Sequence, residues 1–144
     1  MKNFAYAAKL TPDRKAGGFV VTFRDIPEAI TQGEDAADAL SQGGDCLEEA
    51  IAGRIRMAEA IPRPSRPRKA EHCIQLSALM AAKTALYLAM KESGLTNVQL
   101  AKQLKCDEKE IRRLIDPRHK SKIERIEAAL EVLGKRLVVG YRAA

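Results

Sequence analysis

An α+β protein of two domains is what this sequence of 144 residues predicts. Three observations carry that reading. Apolar and polar residues alternate one by one in two stretches near the N-terminus, the pattern of half-buried strands. Beyond residue 77, three segments open with a hydroxyl or carboxylate followed three residues later by Glu or Gln, the spacing of capped helices. The halves also differ in charge. Residues 1–76 hold 11 basic and 11 acidic side chains, and residues 77–144 hold 14 and 8, so the whole excess of +6 lies in the second half.

Composition narrows the class. Apolar residues are 46% and charged residues 31%, which is globular rather than disordered. Aromatic residues are 4% and Trp is absent, so Ala, Leu, Ile and Val must build the core. No run of 18 apolar residues offers a transmembrane helix. Met1 to Leu10 lacks the basic and apolar regions of a signal peptide. Cys46, Cys73 and Cys106 are odd in number and form no C-x-x-C, which argues against a disulfide framework and a Cys-based zinc site. A reducing cytoplasm is the expected home, with no metal and no cofactor.

In the first domain, residues 1–76, Phe4, Tyr6, Ala8 and Leu10 alternate with Asn3, Ala5, Ala7 and Lys9, predicting a strand with one buried face. Pro12, Asp13, Gly17 and Gly18 make a turn by composition. Phe19, Val21 and Phe23 alternate with Val20, Thr22 and Arg24, completing a hairpin. Pro27 ends that strand, since it has no N–H for the ladder. A short third strand is expected near Ala29–Gln32. Glu34 and Asp35 then suit the start of a helix. Its apolar face reads as Ala36, Leu40, Leu47, Ile51, Ile55 and Ala58. Gly43 and Gly44 interrupt it, and either close packing on the sheet or a break would account for them. Residues 61–70 (IPRPSRPRKA) read as a stiff, solvated connector. His72, Ile74 and Leu76 alternate with Cys73 and Gln75, giving a fourth strand that needs the first sheet as its partner.

The second domain, residues 77–144, reads as helices. Ser77 precedes an Ala/Leu/Met-rich run that stops at Ser93-Gly94. Thr96 with Gln99, Asp107 with Glu110 and Ser121 with Glu124 are the three capping pairs. Leu100, Ala101 and Leu104 face inward from the first short helix, and Ile111, Leu114 and Ile115 from the second. Ile123, Ile126, Leu130 and Leu133 do so from the last, which Gly134 stops. The tail from Lys135 to Arg142 alternates at Leu137, Val139 and Tyr141, predicting a terminal β-strand. That strand needs an edge, supplied by a second copy in a two-fold dimer or from within the chain.

Two short helices joined by a tight turn, with small Ala101 in the first, are the signature of a helix-turn-helix. Lys109, Arg112 and Arg113 point away from Ile111 and Leu114, onto the outer face of the second helix. Arg can bond guanine bidentately in the major groove, and Lys and Arg neutralise phosphates. Candidate DNA contacts are therefore Thr96, Asn97 and Gln99, then Glu108, Lys109, Arg112 and Arg113, then Arg118, His119, Lys120 and Lys122. The turn after Leu104 needs a left-handed residue. Lys105 stands there instead of Gly, at a cost of about 1 kcal/mol.

The whole chain resembles the HicB antitoxin family, from about residue 2 to 142. The carrying residues are Gly18 to Pro27 (GFVVTFRDIP), Ala29 to Asp35 (AITQGED) and Ala39-Leu40. In the second half they are Leu95-Thr96, Leu100-Ala101, Leu104, Ile111 to Leu114 and Leu133 to Leu137, similar to a Cro/repressor-type helix-turn-helix. The resemblance implies a truncated RNase H-like ββ(β)αβ fold over residues 1–76. It implies that this fold binds and blocks HicA, a small mRNA-cleaving toxin, and that the second domain represses the protein's own operon. Toxin contacts are expected at Arg24, Asp25, Ile26, Glu28, Glu34 and Asp35, within a run of eight acids from Asp25 to Glu49. The expected partners are that toxin, operator double-stranded DNA and a second copy of the chain, with a higher oligomer left open and no membrane.

Two other classes of function compete with this reading. Two-metal nuclease chemistry needs converging carboxylates, usually with one on a central strand. Neither Asn3–Leu10 nor Phe19–Phe23 carries one, and His72, His119, Cys46 and Cys106 lack partners for nucleophilic catalysis, so no enzyme is expected. The alternative is a stand-alone repressor whose first domain senses a small molecule. No phosphate loop or metal cluster in the sequence supports such a ligand.

Overall fold

The computed structural model describes residues Met1–Ala144. Its elements run β1 (Ala5–Pro12), β2 (Phe19–Phe23), β3 (Ile30–Gly33), α1 (Ala36–Arg56), β4 (His72–Gln75), α2 (Ala78–Ser93), α3 (Asn97–Leu104), α4 (Glu108–Ile115) and α5 (Ile123–Val132). The architecture is α+β. The chain divides into two compact units, Met1–Ser77 and Ala78–Ala144.

The first unit is a four-stranded sheet in the order β3-β2-β1-β4, antiparallel throughout. Leu10 stands opposite Val21, Ala8 opposite Phe23 and Tyr6 opposite Ile74. Alternation therefore puts these six on one face, and α1 covers it. The β1–β2 turn is built on Asp13, whose carboxylate accepts from the N–H groups of Lys15 and Ala16 at 3.1 Å each. Asp35 caps α1 by accepting from Asp38 N at 2.8 Å, and the Asp38 carboxylate accepts in return from Glu34 N at 2.8 Å.

The helix buries Ala39, Gly43, Leu47, Ile51 and Ile55, a stripe of four-residue spacing with Ala52 beside it. The expected face was displaced by one residue in its first turns. Ala36 and Ala58 are exposed and Leu40 is half-buried. Gly43 lies on the stripe itself, and a Cβ there would sit 2.9 Å from Ile74 Cδ1 and 3.2 Å from Val21 Cγ1. The glycine pair thus marks close packing on the sheet, and the helix runs through it unbroken. Gly33 is tighter still, because a Cβ there would lie 2.3 Å from the backbone nitrogen of Ala39.

Residues 61–70 are not the solvated connector the composition predicts. Ile61 is buried. The Tyr6 hydroxyl donates to Pro62 O at 2.9 Å, and Ser65 donates through both N and Oγ to the Asp25 carboxylate at 2.7 Å. Arg24 donates to Arg66 O at 3.0 Å and holds Glu71 through two bonds of 2.8 and 3.3 Å. Prolines keep the segment extended, and these polar groups dock it across the end of the sheet. Ala7, expected on the open face, is also buried. It lies on the same face of the sheet as Arg24, where Arg68 and Glu71 close over the strands.

In the second unit α2 packs on α5 and α4, and α3 on α4 and α5. Ala82, Leu86, Ala89, Leu100, Ala101, Ile111, Leu114, Ile126, Ala129 and Leu130 form its core. One expectation fails here, and another finds no partner within this chain. α5 begins at Ile123 with Lys122 as its N-cap and no side-chain cap bond, so Ser121 and Glu124 form no capping box. Ser121 is engaged elsewhere, as described below. The predicted terminal strand is also absent, and Val138, Val139 and Tyr141 are exposed. A strand needs a free ladder edge, and an all-helical unit has none to give.

Two outcomes follow. Gly33→Ala should destabilise the first unit by about 2 kcal/mol or more, because the clash is with backbone that cannot swing aside; chemical denaturation reads this directly. The Arg24 guanidinium and Arg68 N–H hold the Glu71 carboxyl down to about 2 from its ordinary 4.5. The stability this adds is complete above pH 4.5 and is lost as pH falls towards 2. Glu71→Gln should remove that part of the acid-induced drop in thermal midpoint.

Candidate nucleic-acid interface

The α3–α4 pair is set by its caps and its turn. Thr96 Oγ1 accepts from Gln99 N at 3.1 Å, and the Gln99 side chain accepts from Thr96 N at 2.9 Å. Both residues proposed as contacts are thus spent on starting α3, and both remain exposed. Asn97 is half-buried. The turn runs through Lys105 at φ 56°, ψ 45°, the left-handed conformation the spacing demands. Cys106 N returns to Ala101 O at 3.0 Å. Asp107 then caps α4 by accepting from Glu110 N at 3.0 Å. Glu110 does not reciprocate, because its carboxylate takes Arg125 Nε at 2.8 Å and so links α4 to α5.

Ile111 and Leu114 anchor α4 in the core, which turns Lys109, Arg112 and Arg113 to solvent. Arg112 is held over Glu108 at 3.1 Å, one helical turn away. Arg118, His119, Lys120 and Lys122 are exposed on the loop after α4. The structure therefore gathers the basic candidates on one helix and the loop that follows it. Thr96, Asn97 and Gln99 lie at the start of the neighbouring helix.

What the sequence reading missed is Lys83. It is fully buried in α2. Its ammonium donates to Arg113 O at 2.9 Å, Leu114 O at 3.0 Å and Ser121 Oγ at 2.8 Å, so its three donors meet three acceptors. Two of these are carbonyls in the last turn of α4, where the helix dipole favours a cation by up to about 2 kcal/mol. Ser121 Oγ donates to Arg113 O at 3.1 Å and lies 3.0 Å from His119 Nδ1. Burial pulls the Lys83 ammonium down to about 8, and the Asp116 carboxylate acts the other way. The signal was there to read. Lys83 falls on the same helical face as Leu79, Leu86 and Met90, where a lone cation in an apolar stripe needs a buried partner.

The residues expected to meet a protein partner fall in two groups. Arg24, Asp25 and Glu28 follow β2 and are engaged within the fold, Glu28 by Arg54 at 2.6 and 2.8 Å. Ile26 is fully buried and presents no surface. Glu34 and Asp35 are exposed at the start of α1.

A sheet-and-helix unit of balanced charge, joined to a basic helical unit with Lys109, Arg112 and Arg113 turned to solvent, defines a two-unit α+β protein. Comparison narrows that class. Residues 5–85 match the family described as HicB-like antitoxin of bacterial toxin–antitoxin systems. The chain is 37% identical over 132 residues to Antitoxin HicB of Escherichia coli strain K12, covering 92% of this chain and 95% of that one. It is 36% identical over 136 residues to Antitoxin HicB 2 of Photorhabdus laumondii, with 94% and 95% covered. Antitoxin HicB of Pseudomonas fluorescens strain Pf0-1 is 31% identical over 142 residues, with 98% and 96% covered. The chain belongs to the HicB-like antitoxin family.

Left-handed Lys105 yields a test. Lys105→Gly should stabilise the helical unit by about 1 kcal/mol, because Gly adopts this conformation without a Cβ penalty. Its urea midpoint should rise with an unchanged slope.

Proposed function

We propose that this chain is an antitoxin that binds and blocks a HicA-like mRNA-cleaving toxin and represses its own operon. In this reading the first unit takes the toxin. The second is a helix-turn-helix that binds operator double-stranded DNA in sequence-specific fashion. The observation that carries it is the outer face of α4. Exposed Lys109, Arg112 and Arg113 stand on a helix whose start is capped by Asp107 and whose inner face is locked by Ile111 and Leu114. A rigid basic helix of this kind fits the major groove, where Arg reads guanine and Glu108 keeps Arg112 extended. Arg118, His119, Lys120 and Lys122 follow where a phosphate strand would pass.

An RNA-cutting toxin must carry positive charge to hold its substrate. Exposed Glu34, Asp35, Asp45 and Glu49 offer it an acidic rim that speeds association. Arg24, Asp25 and Glu28 shape the neighbouring turn. The protein works as a homodimer, with the exposed residues Val139 and Tyr141 of the tail pairing edge to edge between two copies. It acts by occupation rather than by catalysis, in the cytoplasm where operator and message both lie.

Arg112→Ala and Arg113→Ala separate the two activities. Each should weaken binding to the duplex upstream of the gene by about 1–3 kcal/mol where a base contact is lost. Each lost phosphate contact should reduce the salt slope by about 0.9. Growth rescue from the co-expressed toxin should be unaffected. Rescue and DNA binding lost together, or neither altered, would refute this division of labour.

A further inference from the structure

We infer that Lys83 is a positioning residue for the DNA-reading helix. Its buried ammonium ties α2 to the C-terminal carbonyls of α4 and to Ser121, and so fixes how Arg112, Arg113 and Arg118 are presented. This rests on the DNA-binding reading above.

The argument begins with what a buried lysine costs. No carboxylate makes an ion pair with Lys83. Its countercharge is the dipole at the end of α4 together with one hydroxyl. A methionine would fill nearly the same volume with no charge to desolvate, and that gain would be set against the bonds Arg113 O, Leu114 O and Ser121 Oγ lose. Packing therefore gives no reason for a cation here. Geometry does. The three acceptors belong to the last turn of α4 and to the loop that follows, and they bracket the segment bearing Arg113, Arg118, His119 and Lys120. Ser121 relays the hold outward, since it bonds both Arg113 O and His119 Nδ1. A displacement of about 1 Å at this end would move the basic side chains out of register with the groove.

The groups facing the ammonium are few. Asp116 and His119 lie on the α4–α5 loop, and Arg113 lends its carbonyl while its guanidinium points to solvent. α5 contributes Ile126, Ala129 and Leu130 to the adjoining core, and none of these titrates.

The test uses the full chain as wild type, Lys83→Met, Ser121→Ala and Arg112→Ala. The DNA probe is the duplex upstream of the gene, against a scrambled duplex. Lys83→Met should melt close to wild type, the desolvation cost removed offsetting the bonds lost. Losing bonds to a charged group should make amide exchange over residues 113–122 about tenfold faster, and specific affinity about tenfold weaker, with the salt slope unchanged. Ser121→Ala, which leaves α2 intact, should show the same effects in smaller measure and decides the matter should Lys83→Met fail to fold.

A pH series supplies the readout that packing alone would not move. The folded state releases the Lys83 proton near 8 and the unfolded chain near the ordinary 10.5, so stability should rise with pH across that interval. Wild-type operator affinity should fall towards that of Lys83→Met around pH 8, read as the ratio of the two proteins at each pH so that losses common to both cancel. Lys83→Met with wild-type exchange and wild-type operator affinity would overturn the inference, and Arg112→Ala losing affinity in the same series would leave the DNA reading standing. Failure of the wild-type chain to prefer its own duplex would overturn the DNA reading, and the positioning role with it.

Discussion

Helix α1 can lie on its sheet because two contact positions carry no side chain. At Gly33 the strand end meets the backbone of Ala39, and at Gly43 the helix meets Val21 and Ile74. The close approach lets Leu47, Ile51 and Ile55 pack down towards the sheet, and each becomes buried. Tyr6 and Phe23 supply the bulk on the sheet side of this layer. With helix and sheet this near, Ala39, Ala8 and Val21 suffice to fill the gap.

One helix can cover only one face. The consequence is the course of residues 61–70. Arg24 and Asp25, at the end of β2, take up Ser65, Arg66 and Glu71 and draw the segment around the end of the sheet. Tyr6 shows how closely it is held. Burial and the nearby Asp25 carboxylate push its hydroxyl up to about 12, which keeps it protonated and donating to Pro62 O. The charged turn after β2, read from sequence as a contact surface, is thus first a fastening. Surface acid not committed to the fold lies further on, at Glu34 and along the outer side of α1.

The strands were legible because their alternation is a property of neighbours in sequence. Phe19–Phe23 needed nothing more. The α3–α4 turn was equally legible, down to the left-handed conformation of Lys105, because capping and turn geometry are local chemistry. Non-local effects were not. Whether Gly43 breaks a helix or seats it depends on Ile74, far along the chain. Whether Ser121 caps α5 depends on Lys83, which claims its hydroxyl first. The tail alternates like a strand, yet alternation creates no edge, and within one chain it stays unpaired.

Both units carry ion pairs at their surface, and the second also buries a lone cation. In the first, Arg24 with Glu71 and Arg54 with Glu28 are opposite charges at the rim of the fold, partly open to water. Such pairs fasten loops at little desolvation cost, and replacing one partner leaves the other hydrated. In the second, Lys83 is taken out of water entirely and satisfied by neutral oxygens. A charge in that setting carries a desolvation cost, and it has a sharp preference for one arrangement of its acceptors. Apolar packing by Ile111 and Leu114 fixes the depth of α4 and tolerates small shifts along its axis. Three hydrogen bonds from a single ammonium do not. Depth and register are therefore set by different forces, the first by burial and the second by a cation and its three bonds.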